Sequence, residues 1–378
     1  MLSSSLLLGA CSDKGIGLGQ ENDTDGQTTE QTAGNDTEGN NANITTENQL
    51  NSTYYRPLIV DGEYKTSNSR GITLKMNSSV NLKSFETGLM RLSQNYFSTE
   101  NHLFQEGQFI SSDSIYSWLG RESEDNPEGL NPSDNKKTEP DERNPIYLQT
   151  ILEQDYYRET DEGTKLAGVS IGLGMNQVDY YRKVQFGPEF ETQISKEELL
   201  KQGQKMANEI VKRMREVEEI GELPIMVGIF EQAPRDNLGG GVYISQGISQ
   251  NGSGSIGEWT RVNERKEVFP LTGTDSNEGN SFKNFKSEVE SFFPNLSGVT
   301  GIAHYRDDRL VKLDVNMVTQ FYGAGEIIAF TQYVKDAAEK FLTPSIETEI
   351  TIESMDGVEA ILLRSTGGNG FDAHIFAD

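Results

Sequence analysis

Apolar positions are sparse at the start of the chain and regular afterwards. Residues 12–53 carry almost no large apolar side chains, and periodic apolar spacing begins near Tyr54. Strands are expected over 55–60 and 70–75. Leu82, Phe85, Leu89, Leu92 and Phe97 recur mainly on one helical face, which predicts a helix over 82–97. Residues 111–119 predict a second, short helix. Residues 121–145 hold four prolines and eight acids and predict an exposed loop. A hairpin is expected from 148–158 and 165–176. The clearest helix spans 195–220: Ser195-x-x-Glu198 opens it as a capping box, and Leu199, Met206, Ile210, Met214 and Val217 form its stripe. Gly221 ends it, and a strand is expected over 225–231.

A similar order then recurs. A strand is expected over 241–248 and a helix over 281–293, whose start, Phe282-Lys283-Asn284-Phe285, echoes Leu82-Lys83-Ser84-Phe85. A hairpin follows over 299–306 and 309–318, turning at Asp307-Asp308. Tyr305-Arg306 before that turn echoes Tyr157-Arg158 before the earlier one. A helix over 325–342 and strands over 346–353 and 358–364 complete the series. Residues 367–378 fit either a terminal strand or an adapting tail. The expected fold class is α+β: two diverged copies of one mixed sheet-plus-helices unit, over 54–235 and 236–378, behind a stalk.

Composition narrows the function. The net charge is −26, from 33 basic against 59 acidic residues, so no basic stripe is available to displace counterions from phosphate. Nucleic acid is excluded as a partner. With one cysteine, Cys11, neither an intramolecular disulfide nor a cysteine zinc site can form. His102, His304 and His374 make no metal-ligand spacing, and no metal or cofactor is expected. No apolar run reaches the ~20 residues that a membrane-spanning helix needs.

The first residues do point to a membrane. Leu8-Gly9-Ala10-Cys11 has the form of a lipobox, with small residues beside the cut and a thiol to take diacylglycerol. Two acyl chains suffice for stable anchoring. A signal peptide begins with a basic segment, yet the first basic residue is Lys14, so the start of the signal is expected upstream of Met1. Residues 1–10 are read as the end of a signal peptide and 11–53 as a lipidated stalk. With eight acids, one lysine and little to bury between 12 and 53, the stalk is expected to be disordered. Some 40 flexible residues span roughly 35 Å. Glu21-x-Asp23-x-Asp25-Gly26 departs from a calcium loop at its first ligand and at Thr32, its twelfth position.

Three further patterns carry candidate chemistry. Gly168-Val169-Ser170-Ile171-Gly172 matches the G-x-S-x-G of serine hydrolases, but that motif needs a strand, a sharp turn and a helix, and here strand alternation runs through it. Tyr-Tyr-Arg occurs three times, as Tyr54-Tyr55-Arg56, Tyr156-Tyr157-Arg158 and Tyr180-Tyr181-Arg182. Tyrosine faces beside guanidinium groups suit a peptide or cell-wall ligand, and tyrosine is also an ordinary strand residue. Gly239-Gly240-Gly241 and the glycines at 252–257 lack the Lys-Ser/Thr tail of a phosphate loop and read as turns.

With its lipobox, polar stalk, Tyr54-Tyr55-Arg56-Pro57 and paired units, the chain resembles the CamS family. That resemblance implies a lipoprotein of low-GC Gram-positive bacteria and a sex-pheromone precursor. In such proteins, signal-peptide fragments beside the lipidated cysteine can be released, and some trigger plasmid transfer by conjugation. The corresponding stretch here is Ser4-Ser5-Leu6-Leu7-Leu8-Gly9-Ala10, poorer in Ile and Phe than the family's active peptide. The expected protein is lipid-anchored on the extracytoplasmic face of the cell membrane, with a non-enzymatic binding module as its body. Two alternatives are a cell-envelope hydrolase and a body that is only a structural carrier for the signal peptide.

Overall fold

The computed structural model describes residues 45–46, 49–69, 76–270, 276–292, 298–320 and 323–376. The expected signal peptide and lipobox with Cys11, nearly all of the expected stalk and the strand expected over 70–75 lie outside them.

Two mixed sheets organise the body. The first opens with β1 (Arg56–Pro57), helix α1 (Ser79–Ser93), β2 (Leu103–Glu106) and helix α2 (Ser112–Leu119). The hairpin β3 (Leu148–Thr160) and β4 (Gly163–Asn176) follows. A small two-stranded sheet, β5 (Val178–Arg182) with β6 (Glu189–Gln193), precedes helix α3 (Lys196–Arg215). Strands β7 (Ile225–Gln232), β8 (Val242–Ser249) and β9 (Trp259–Arg261) complete the first sheet, ordered β1-β2-β3-β4-β7-β8-β9.

The second sheet runs β10 (Glu264–Phe269), β11 (Gly298–Arg306), β12 (Arg309–Val318), β13 (Glu347–Ser354), β14 (Gly357–Arg364) and β15 (Asp372–Ile375), adjacent in that order. Helix α4 (Asn277–Phe292) lies between β10 and β11 in sequence, and α5 (Ala324–Phe341) between β12 and β13. The tail over 367–378 therefore contributes a strand.

With the separate β5–β6 pair set aside, the series β2-α2-β3-β4-α3-β7-β8-β9 and β10-α4-β11-β12-α5-β13-β14-β15 have the same element order. Their strand directions also agree. β4 and β7 are parallel, as are β12 and β13, and the remaining pairs of both series are antiparallel.

Two details differ from the sequence reading. Strand β8, expected to open the second unit after residue 235, is hydrogen-bonded to β7 in the first sheet, and the sheets change between Arg261 and Glu264. The helix that corresponds to α4 is α2, because α2 links β2 to its antiparallel neighbour β3 as α4 links β10 to β11, so the Leu82/Phe282 echo joins elements in different positions.

Helix α1 has its own task. Helices α2 and α3 cover one face of the first sheet, where Ile115, Trp118, Leu199 and Ile210 pack on Ile171, Leu173, Val227 and Ile229. Helix α1 covers the other, packing Phe85, Leu89 and Leu92 with Tyr156, Met226, Phe230 and Tyr243. A sheet buried on both faces reads as continuous apolar runs rather than alternation, as in Ile225-Met226-Val227-Gly228-Ile229-Phe230. Helices α4 and α5 pack Phe282, Phe285, Phe330 and Val334 against Val299, Val315, Ile350 and Leu362 of the second sheet.

The loop over 121–145 is less exposed than its composition suggests. Asn131 is fully buried, its amide donating to the carbonyls of Leu119 and Leu148 at 2.9 Å each. Its oxygen accepts from the backbone N–H groups of Tyr147 and Leu148. Arg143 pairs with Asp179 at 2.6 Å, both side chains nearly buried. The loop's acids are exposed, while Asn131 and Arg143 tie its inside down.

Candidate functional site

Backbone register brings two of the three Tyr-Tyr-Arg trios together. β1 pairs with β2 and β2 with β3, so Arg56 and Tyr157 both stand opposite Leu103. Tyr55 and Tyr156 face the core, with ring centroids 5.0 Å apart, and Phe97 stacks on Tyr156 at 4.5 Å. Tyr55 donates its hydroxyl hydrogen to the carbonyl of Phe97, and Tyr156 donates to Gln154 Oε1 at 3.0 Å. Burial pushes both phenols up. These two rings are inside the protein and line no groove. Tyr54 is exposed, Arg56 pairs with Glu159 at 3.5 Å, and Tyr157 is half-buried. Arg158 Nε donates to His102 Nε2 at 2.8 Å. Burial lowers the His102 pKa; the Ser98 carbonyl opposes that, and Arg158 adds to it. A neutral ring that donates to Ser98 through Nδ1 satisfies all three.

The third trio sits on the separate β5–β6 sheet, its members each held by a local partner. The Arg235 guanidinium lies 3.7 Å from the centre of the Tyr180 ring, and Arg143 lies 3.8 Å from that of Tyr181. Arg182 donates to the carbonyl of Gly187.

Ser170 is fully buried in β4 and accepts a hydrogen bond from Ser93 of α1 at 2.8 Å. The strand does not turn into a helix there, so the nucleophile version of the hydrolase alternative is overturned. The two glycines of the motif have a packing role. A Cβ at Gly168 would stand 2.5 Å from the Phe97 ring, and one at Gly172 would stand 2.9 Å from the Phe85 ring. Gly172 lets α1 approach the sheet, and Gly168 does the same for Phe97 in the segment after α1.

A cleft of about 390 Å³ opens where the first sheet passes into the second. The last turn of α1 contributes Arg91, and the residues just after it Gln94 and Asn95; β8 and β9 contribute Gln246 and Arg261. The connection to β10 contributes Val262, Asn263 and Glu264, and the β11–β12 turn contributes Arg306 and Asp307. Register assembles it: Glu264 stands opposite Arg306 across β10 and β11, and Asp307 N donates to the Asn263 carbonyl.

Three arginines against two acids make this lining net positive, on a chain of net charge −26. Glu264 bridges two of the arginines, at 2.7 Å from Arg91 and 3.3 Å from Arg306. Burial lowers the Arg91 pKa, with Glu264 acting the other way. The Arg261 side chain has no hydrogen bond or ion pair among the described residues, and the buried Oε1 of Gln246 has no donor. The sequence reading missed these residues. Arg91, Arg261 and Arg306 are far apart in the chain, and only the sheet junction collects them.

Two mixed sheets of matching strand directions, each with two helices on one face and the first with α1 on the other, and a cleft at their junction define a paired α+β body. The family profile described as CamS sex pheromone cAM373 precursor matches residues 64–369. The chain therefore belongs to the CamS family. It is similar to the crystal structure of a sex pheromone precursor from Lactobacillus salivarius subsp. salivarius UCC118. That match has 43% identity and a TM-score of 0.84, over 89% of this chain and 99% of that one. It is also similar to the C-terminal domain of the sex pheromone staph-cAM373 precursor from Staphylococcus aureus. There the identity is 30% and the TM-score 0.68, over 81% of this chain and 100% of that domain. A search of curated proteins finds no match. Among the described residues, no helix is long and apolar enough to cross a membrane.

Proposed function

We propose that this precursor is held on the extracytoplasmic face of a Gram-positive cell membrane by a lipid on Cys11. In this reading its signal peptide is cut after Ala10 and a fragment is released as a signalling peptide for conjugation. The body is a non-enzymatic binding module, and the junction cleft is where it binds. The observation that carries the reading is the lipobox Leu8-Gly9-Ala10-Cys11 upstream of a CamS body over 64–369. Two acyl chains bury enough CH₂ groups, at ~0.8 kcal/mol each, for stable anchoring. The polar residues between Cys11 and Tyr54 supply reach without a core of their own. The matching element order of the two sheets supports an origin by duplication, with α1 and the β5–β6 sheet as additions to the first copy.

Mass spectrometry of short peptides in the culture medium tests the processing. Wild type is expected to yield a peptide ending at Ala10, and Cys11→Ala to yield none. A well-expressing wild-type strain without that peptide would remove the signalling role. Labelling with a fatty acid, present on wild type and absent from Cys11→Ala, tests the anchor separately.

A further inference from the structure

We infer that the junction cleft takes the free carboxylate end of a short peptide, an assignment that rests on reading the body as a binding module. The cleft's size, about 390 Å³, is at the low end of the ~300–1,000 Å³ range of small-ligand sites. Its chemistry is of two kinds. The Arg261 side chain has no polar partner among the described residues, and Arg306 is held by one Glu264 oxygen at 3.3 Å, so both guanidinium groups keep N–H donors. Planar guanidinium groups recognise a carboxylate through paired hydrogen bonds. Beside them, the buried Gln246 Oε1 is an acceptor without a donor, which a peptide N–H would satisfy.

The cleft also borders β9, the last strand of the first sheet, which is paired to β8 alone among the described strands. An edge strand offers backbone groups to an extended peptide, and main-chain pairing supplies affinity that does not depend on the peptide's side chains. A ligand with an anionic end and an N–H-bearing backbone meets all three features. An inorganic anion meets only the arginines.

Binding of the tripeptide Leu-Gly-Ala, as free acid and as C-terminal amide, tests this by calorimetry on the full chain carrying Cys11→Ala. The tripeptide copies residues 8–10, the end that cleavage before Cys11 would expose. The free acid is expected to bind at least about tenfold more tightly than the amide, since the charge-assisted bonds are lost with the amide. Arg261→Gln is expected to weaken the free acid by about tenfold while leaving the amide unchanged. Its unfolding midpoint should match that of the parent, because the exposed Arg261 side chain makes no hydrogen bond or ion pair among the described residues and the backbone pairing of β9 is kept.

Equal binding of acid and amide would overturn the carboxylate assignment while leaving peptide binding intact. Binding of neither, or free-acid binding untouched by both Arg261→Gln and Arg306→Gln, would overturn the site itself. Competition by inorganic phosphate as strong as by the free acid would reduce it to an anion site and overturn the peptide assignment. None of these outcomes bears on lipidation or peptide release, which the mass-spectrometric comparison decides.

Discussion

Glu153 and Asp155 stand two residues apart on β3, both fully buried beneath the loop that joins β2 to α2, and their carboxyl groups repel each other when both are charged. The loop clasps them with backbone N–H groups. Phe109 and Ile110 donate to Glu153, and Gln108 donates to Asp155 at 2.9 Å. A Cβ at Gly107 would lie 2.4 Å from the Glu153 side chain, so the loop can settle this closely only with glycine there.

Burial pushes the Glu153 carboxyl up to about 7, against the pull of the Ile110 and Phe109 amides. Burial and the neighbouring Glu153 push Asp155 up as well. The folded state thus holds a proton that the unfolded state releases near the ordinary carboxylate value. The stability linked to Glu153 is complete below that value and is lost as pH rises to about 7. Urea midpoints of the wild type are expected to fall between pH 5 and 8. Glu153→Gln, which keeps an acceptor for the loop amides, should show a flatter profile. Equal slopes would show that the proton is not held there.

Gly172→Ala is expected to destabilise the first sheet. The added methyl would meet Phe85 at 2.9 Å and the Tyr243 hydroxyl at 2.9 Å, both on fully buried residues. Overpacking of this kind costs about 1–3 kcal/mol. Thermal unfolding should show a lower midpoint. An unchanged midpoint would mean that α1 can shift away from the sheet.

Asn131→Ala should loosen the acidic loop. It removes two donated and two accepted hydrogen bonds at a fully buried position. Each buried backbone group left without a partner costs about 1–3 kcal/mol. Limited proteolysis is expected to gain a cut within 121–145. Wild-type resistance in the variant would refute the anchoring role.

Glu264→Ala should lower stability where Arg261→Gln does not. Glu264 is the shared partner of Arg91 and Arg306, and its loss leaves Arg91, on the last turn of α1, without its acid. Breaking a partly buried charged hydrogen bond costs about 1.5–3 kcal/mol. Equal midpoints for Glu264→Ala and the parent would show that α1 and β10 are held together by other contacts.

Much of the fold was legible in the chain. The helices near 82–97, 195–220 and 325–342 appear as α1, α3 and α5, with ends shifted by a few residues. Both long hairpins also appear, because alternation and Asp-rich turns are local signals. Short strands β2, β5, β6, β9 and β10 escaped notice. Each is six residues or fewer, too short for periodicity to stand out. Of the candidate site residues, the tyrosine trios were visible as a repeat, but their exposure was not. Tyr55 and Tyr156 turned inward because strand alternation put them on the face that α1 covers.

The sequence by itself determined the class of each major element, the polar composition of the residues before Tyr54, the strongly acidic net charge, and the family resemblance. These follow from residue type and near-neighbour spacing, which act over a few residues. Tertiary structure alone decided which sheet takes β8, which helix corresponds to α4, that Ser170 is sealed under α1, and that Arg91, Arg261 and Arg306 meet at one cleft. Those outcomes depend on strand pairing between segments far apart in the chain. Such pairing is chosen by the joint burial of whole faces, so no local pattern records it.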